Sequence, residues 1–140
     1  MRIRRAGPLD LLGIYRVEKA CFPDPWPLLA FLPYVLERDS LAFVAEEEGI
    51  VGFILAFCEG NEVHIHDLAV LPEHRRKGIA SALLSHLLGE AKEAKRVKLE
   101  VRASNTAAQA FYKKHGFREA SRLSHYYEDG EDGILMVREL

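Results

Sequence analysis

Apolar and polar positions change period several times along the chain, and each change marks an element. Residues 2–6 read as a short strand. Pro8 opens a helical stretch to about Ala20, with Leu11, Leu12, Tyr15 and Val17 to Ala20 forming an apolar stripe. Cys21-Phe22-Pro23-Asp24-Pro25-Trp26-Pro27 is a loop, because prolines this dense fit neither a helix interior nor a central strand. A second helix over about Leu28 to Leu36 follows. Three strand-like runs come next, Leu41 to Glu46, Ile50 to Cys58 and Glu62 to Leu71. The turns between them, Glu47-Glu48-Gly49 and Glu59-Gly60-Asn61, are short enough to predict an antiparallel meander.

The period then switches to that of a helix. From Gly78 to about Ala94, the residues Ala80, Leu83, Leu84, Leu87, Leu88 and Ala91 fall on one face. Arg96 to Val101 alternates like a strand. Asn105 to His115 reads as a helix, with Asn105 as N-cap and Gly116 as the residue past its end. Phe117 to Tyr127 and Ile134 to Arg138 read as two last strands around the turn Glu128 to Gly133. The order predicts an α/β fold of the α+β type, a single domain over residues 1–140. Its mixed, mostly antiparallel central sheet has about seven strands and is flanked by about four helices. The unit from Glu62 to Val101 is expected to be a parallel, right-handed crossover.

Composition narrows the setting. The chain of 140 residues is 49% hydrophobic and 29% charged, the balance of a folded domain rather than a disordered one. No apolar stretch approaches the ~20 residues of a membrane helix. The start, Met1 to Pro8, has charges but no apolar core behind them, so it is not read as a signal peptide. A net charge of −2 removes the usual electrostatic basis for nucleic-acid binding. Cys21 and Cys58 are too few for a disulfide framework and are expected to be buried thiols of a cytoplasmic protein.

The segment richest in chemistry is Val70-Leu71-Pro72-Glu73-His74-Arg75-Arg76-Lys77-Gly78-Ile79-Ala80, which joins a strand to the long helix. A helix start carries unpaired N–H groups and a partial positive charge. Arg75, Arg76 and Lys77 stand where that charge disfavours cations, and no Ser, Thr, Asp or Asn directly precedes Gly78 as a cap. A bound anion corrects both defects, and Gly78 and small Ala80 leave it room to approach the backbone. Taken alone, the segment reads equally well as a solvated basic turn. It is neither a Walker loop nor a dinucleotide fingerprint, since the glycines those need are missing.

The pattern Arg75-x-x-Gly78-x-Ala80, after Asp67-Leu68-Ala69-Val70-Leu71-Pro72, resembles the pyrophosphate motif of the GCN5-related N-acetyltransferase (GNAT) family. The element order matches that fold over nearly the whole chain. The resemblance implies acetyl-CoA as donor, lying along the splayed strand that ends here. It places the pyrophosphate at Arg75, Arg76, Lys77, Gly78, Ile79 and Ala80, and the pantetheine along the backbone of Leu68, Ala69 and Val70. Within the family, Leu99-Glu100-Val101-Arg102-Ala103-Ser104-Asn105, Ala107-Ala108, Tyr112 and Gly116-Phe117 look like the RimI branch. So do Phe22-x-x-Pro25-Trp26, Tyr126-Tyr127 and Glu131 to Met136. That branch acetylates the N-terminal alanine of a small-subunit ribosomal protein.

Acetyl transfer to an amine needs a neutral amine, a stabilised oxyanion and a proton for the leaving thiolate. An α-amine of pKa near ~8 is far easier to deprotonate than a lysine near ~10.4. By alternation alone Glu100 reads as a solvent-facing strand residue and Tyr112 as a core aromatic. By resemblance Glu100 is the base and Tyr112 the acid, and Asn105 contacts the pantetheine amides as well as capping its helix. Trp26 and Tyr127 are expected either to wall the acceptor pocket or simply to pack. His64 and His66 share one strand face, but no third ligand at metal-binding spacing is evident, so no metal is expected. Asp67 ranks low. The acidic turn Glu128, Asp129, Glu131 and Asp132 reads as a solvated loop or as an attractor of a basic substrate terminus. Neither cysteine lies in a cofactor or base segment, which favours direct transfer over an acyl-enzyme.

The expected partner is a protein or peptide N-terminus, a ribosomal protein among the candidates, without nucleic acid or membrane. Two other readings stay open: transfer to lysine side chains or to small amines such as polyamines, and a non-catalytic acyl-CoA-binding module.

Overall fold

Residues 1–140 are described by a computed structural model. β1 (Arg2–Arg5), β2 (Ser40–Glu47), β3 (Gly49–Glu59), β4 (Glu62–Val70), β5 (Arg96–Arg102), β6 (Arg118–Leu123) and β7 (Gly133–Glu139) form one sheet in the order β1-β2-β3-β4-β5-β7-β6. Only β4 and β5 run parallel; every other pairing is antiparallel. The helices are α1 (Leu11–Cys21), α2 (Leu32–Leu36), α3 (Ile79–Glu90) and α4 (Thr106–Lys114).

The sheet is covered on both faces. β2 and β3 are buried almost throughout, which is why they read as continuous apolar runs rather than as clean alternation. Leu41, Phe43, Ile54, Val63 and Val97 meet Leu83, Leu84 and Leu87 of α3 on one side. Ala42, Val44, Phe53 and Leu55 meet Ile14 and Val17 of α1 and Phe31 on the other. β6 is a charged, exposed edge, which blunts pairing with other chains.

Several boundaries move from the sequence reading. Pro8–Asp10 is a 3-10 turn ahead of α1, and α1 runs on through Cys21 rather than stopping before it. Its buried side is Ile14, Val17 and Glu18, whereas Leu12 is 70% exposed. Leu28–Phe31 is 3-10, and only Leu32–Leu36 is α-helical. α3 ends at Glu90 because Lys95 N–H must reach Asn61 O to open β5. β6 ends at Leu123, since His125 adopts φ 52° and its N–H is held by Asp132. Cys58 is exposed rather than buried, because β3 outruns its helical cover beyond Phe57, and Cys21 is half-buried.

One polar anchor ties the start of the chain to the sheet. Asp10 accepts both Arg4 Nη1 and Nη2 at 2.8 Å and the Gly7 N–H at 2.8 Å. The Arg4 guanidinium holds this carboxyl below the usual range, against the effect of its burial. Asp10→Ala is expected to cost about 2 kcal/mol in chemical denaturation. Because the folded pKa is depressed, the contribution is complete above the unfolded value near ~4 and is lost as pH falls through the folded value. The wild-type advantage over Asp10→Ala therefore shrinks in melts run progressively below pH 4.

Candidate active site

The site lies where the parallel pair comes apart. β4 and β5 pair only over Glu62–His64 and Arg96–Lys98. Beyond that the strands diverge, and the β4 edge from Ile65 to Val70 faces no strand on that side. A bulge opposite Leu55 and Ala56 falls at His66 and adds to the local bend.

At the far end of the split, the turn into α3 forms an anion cradle. No carbonyl or side chain of the protein accepts from the N–H groups of Arg76 to Ser81. Arg76 and Gly78 both have left-handed backbone, φ 65° and 78°, which turns successive N–H groups to one side. A Cβ placed on Gly78 meets nothing within 4 Å, so the space in front of it is open. Arg76 and Lys77 are exposed, whereas Arg75 Nε donates to Val70 O at 3.0 Å and pins the turn to β4. A cavity of about 250 Å³ over this turn is floored by Val70, Gly78, Ile79, Ala80 and Phe111. Gly78→Val puts a branched side chain at φ 78° into that space. It is expected to raise the KM for acyl donor about tenfold with a smaller change in kcat, measured by donor titration.

Two further cavities continue from this one in series, the second sharing walls with the first and the third with the second. The second, about 260 Å³, is lined by Leu68, Ala69, Val70, Ala108 and Tyr112, and by Cys21 from α1. Cys21 thus reaches the cavity despite its distance in sequence. Its Sγ donates to Val70 O at 3.3 Å, and burial pushes the thiol up, so it stays protonated at neutral pH. The third, about 350 Å³, brings together Leu68, Glu100, Asn105, Tyr112 and Tyr127. A fourth, about 480 Å³, opens from it between Trp26, Asp67, Arg102 and Tyr127.

The side chains around the third cavity have distinct states. Burial raises the Glu100 carboxyl, but the bond from His64 Nε2 to its Oε1 at 2.7 Å and the charges of His64, His66 and Lys98 outweigh it, and the net shift is downward. Glu100 is therefore ionised at neutral pH. Its partner His64 moves the other way, raised chiefly by the same hydrogen bond. Tyr112 is only 7% exposed, and burial, with the field of Asp67, drives its phenol far above the usual range. Its hydroxyl makes no hydrogen bond within the protein and is not sealed off. Asn105 caps α4 by accepting the Ala108 N–H at 3.1 Å, which leaves its amide NH₂ free on the cavity wall.

Trp26 both lines the fourth cavity and packs against Phe31 and Tyr34 at 5.5 and 6.2 Å between ring centroids. Tyr127 lies under the Arg102 guanidinium, 4.2 Å from ring to cation. Three of the four carboxylates in the acidic turn are paired. Asp129 and Glu131 each hold Arg102 at 2.8 Å, and Asp132 holds Arg122 at 2.8 Å. These pairs tie the turn to β5 and β6, and Glu128 has no ion-pair partner.

Three features escaped the sequence reading. Asp67, ranked low, has a buried Oδ2 without a donor, faces the buried Glu18 carboxyl, and is pushed up to about 9, chiefly by burial. The signal was Glu18 inside an apolar stripe and Asp67 inside an apolar strand. His64 grips Glu100 across the strand pair. Glu59 joins His64 and His66, supplying the third ligand-type residue that spacing along one strand did not reveal.

A match to the Acetyltransferase (GNAT) family covers residues 11–117. The chain belongs to the GNAT family of acetyltransferases. It is 37% identical to the N-alpha-acetyltransferase of Sulfurisphaera tokodaii, over 99% of this chain and 93% of that protein. It is 36% identical to the ribosomal-protein-bS18-alanine N-acetyltransferase of Escherichia coli, over 91% of this chain and 90% of that one. The crystal structure of the Escherichia coli ribosomal-protein-S18-alanine N-acetyltransferase superposes with a TM-score of 0.91 at 32% identity, covering 99% of this chain and 92% of that one. As a GNAT member the chain is an acyltransferase, and the order of its elements is the one that family's pattern led one to expect. No helix is long and apolar enough to cross a membrane.

Proposed function

We propose that this protein transfers acetyl from acetyl-CoA directly to the α-amine of a protein N-terminus, with an N-terminal alanine as the preferred first residue. The observation that carries the proposal is the run of wall-sharing cavities along the β4–β5 split, with Glu100 and Tyr112 on the wall of one of them. Relatives named for N-alpha-acetylation and for ribosomal-protein alanine acetylation, alike over nearly their full lengths, support the acceptor class.

The residues present fit the donor. The unpaired N–H groups of Arg76 to Ser81, with Arg76 and Lys77 beside them, suit a pyrophosphate. The free β4 edge at Leu68, Ala69 and Val70 offers backbone groups to the pantetheine amides, and the Asn105 amide faces them. Acetyl-CoA, when bound, supplies an acyl group activated as a thioester. Glu100, ionised and held by His64, takes the proton of the incoming ammonium, directly or through water. At neutral pH an α-amine of pKa ~8 needs only about one pK unit, roughly 1.4 kcal/mol, to become neutral. Tyr112, fully protonated, gives its proton to the leaving sulfur. Trp26 and Tyr127 bound the pocket that takes the first residues of the acceptor. Cys21 and Cys58 take no part, since burial keeps the one thiol that reaches the cavity protonated.

Acetylation assays with Ala-starting peptides, internal-lysine peptides and polyamines test the proposal. Turnover is expected for the Ala-starting peptides in preference to the others. Failure to turn over any Ala-starting peptide overturns the acceptor assignment, and turnover of lysine peptides or polyamines in their place identifies the other transferase reading. Acetyl-CoA binding without transfer to any amine identifies a binding module.

A further inference from the structure

We propose that Glu59, His64 and His66 form a binding site for a divalent transition-metal ion, zinc being the best match, on the side of the sheet that carries α1 and α2. Three observations converge on it. First, the donor atoms, of which His64 Nδ1 and Glu59 Oε2 are hydrogen-bonded to each other when no ion is bound, are close enough to share one ion. His64 Nδ1 lies 3.3 Å from Glu59 Oε2, and His66 Nε2 lies 3.8 Å from the same oxygen. All three donor atoms fall within 4.8 Å of one another. Zinc with ligand distances of about 2.0–2.1 Å in a tetrahedron sets its donors about 3.3 Å apart, so one edge already has the required length and the others need only small side-chain rotations.

Second, the nitrogen of each histidine that points away from the shared space is already engaged. His64 Nε2 meets Glu100 Oε1 at 2.7 Å, and His66 Nδ1 meets the Tyr34 hydroxyl at 2.7 Å. Metal-binding histidines commonly present one nitrogen to the ion and give the other N–H to a carboxylate or oxygen, which fixes the ring and the tautomer. With an ion on Nδ1, His64 carries its proton on Nε2 and donates to Glu100. With an ion on Nε2, His66 carries its proton on Nδ1 and donates to Tyr34. The rings are held edge to face, 4.4 Å between centroids, and the Tyr34 ring packs edge-on against His66.

Third, the donor chemistry is selective. Two imidazoles and one carboxylate suit zinc and its neighbours better than calcium or magnesium, which take all-oxygen sets. The other Glu59 oxygen is near Lys98 at 3.7 Å, and Lys98 leans to Glu62 at 3.2 Å, so Glu59 is expected to bind through one oxygen. Three protein ligands leave a fourth position for water or a group from solution.

The inference is independent of the acetyl-transfer assignment, because its test is binding. Purified full-length protein without a histidine tag is titrated with Zn²⁺ by calorimetry and with Co²⁺ by visible absorption. One equivalent of Zn²⁺ per chain and an intense tetrahedral Co²⁺ band are expected. Glu59→Gln and His66→Ala should each weaken Zn²⁺ binding at least tenfold, and the double variant should abolish it. Tyr34→Phe and Glu100→Gln, which remove partners of the ligands, should each weaken it by a smaller factor. Glu59 is exposed beside a hairpin turn, so Glu59→Gln reads the site with little disturbance of the core. Thermal melts of each variant confirm folding. Absence of saturable binding in the wild type overturns the site. So does undiminished binding in folded Glu59→Gln, or binding that disappears with the exposed thiol in Cys58→Ser.

Discussion

Glu100→Gln is expected to lower kcat for an Ala-starting peptide by roughly a hundredfold or more while leaving the Kd for acetyl-CoA within about twofold. The substitution keeps shape and a hydrogen-bond acceptor for His64 but removes the charge proposed to take the ammonium proton. Glu100 lies on β5, and the cradle lies beyond the end of β4, so the donor should bind as before. The wild-type rate should rise with pH toward the α-amine pKa near ~8 and level there, not continue toward the ~10.4 of a lysine. Glu100 is already ionised well below this range, because His64 and the nearby cations overcome its burial. In the variant the same rise should persist at a much lower plateau, since it belongs to the substrate. Steady-state kinetics from pH 6 to 10 with wild type and Glu100→Gln check both points. An unchanged kcat removes Glu100 from the chemistry. A loss confined to KM makes it a docking residue.

The fold was legible because its strongest signals are local. The switch from strand to helical period at Gly78, the short turns around β3 and the Asn105 cap each depend on a few neighbouring residues. The elements that moved answered to distant partners. α3 stops at Glu90 because β5 must begin beside β4, and β6 stops at Leu123 because Asp132 captures the His125 backbone. The uncapped start of α3, with its unpaired N–H groups, was likewise readable, since its signature is a helix start with the wrong charges. The state of the site was not. Glu100 is set by a histidine thirty-six positions away, and three carboxylates of the acidic turn are held by arginines on β5 and β6. Glu59, Glu18 and Asp67 became noteworthy only when folding brought them to their partners, because spacing along one strand says nothing about a neighbour across a hairpin.

Tyr112→Phe is expected to lower kcat about ten- to a hundredfold with almost no change in stability. The ring is buried and packs edge to face against Phe111 and Phe117, at 5.1 and 5.5 Å between centroids, and phenylalanine keeps those contacts. The lost hydroxyl had no partner inside the protein, so its removal orphans nothing. Melting temperatures should therefore agree within about a degree or two, which separates a chemical role from a packing role. The sign of the phenol shift adds a second check. Burial, reinforced by Asp67, holds the proton on Tyr112 throughout the range in which the enzyme is assayed, so no fall in rate on its account should appear up to pH 10. If the proton goes to the leaving sulfur, its value depends on how basic that sulfur is. An acetyl thioester of a more acidic thiol needs the proton less, and the gap between wild type and Tyr112→Phe should narrow with such a donor. A gap of equal size for both donors means that Tyr112 positions the acyl group and the proton comes from elsewhere.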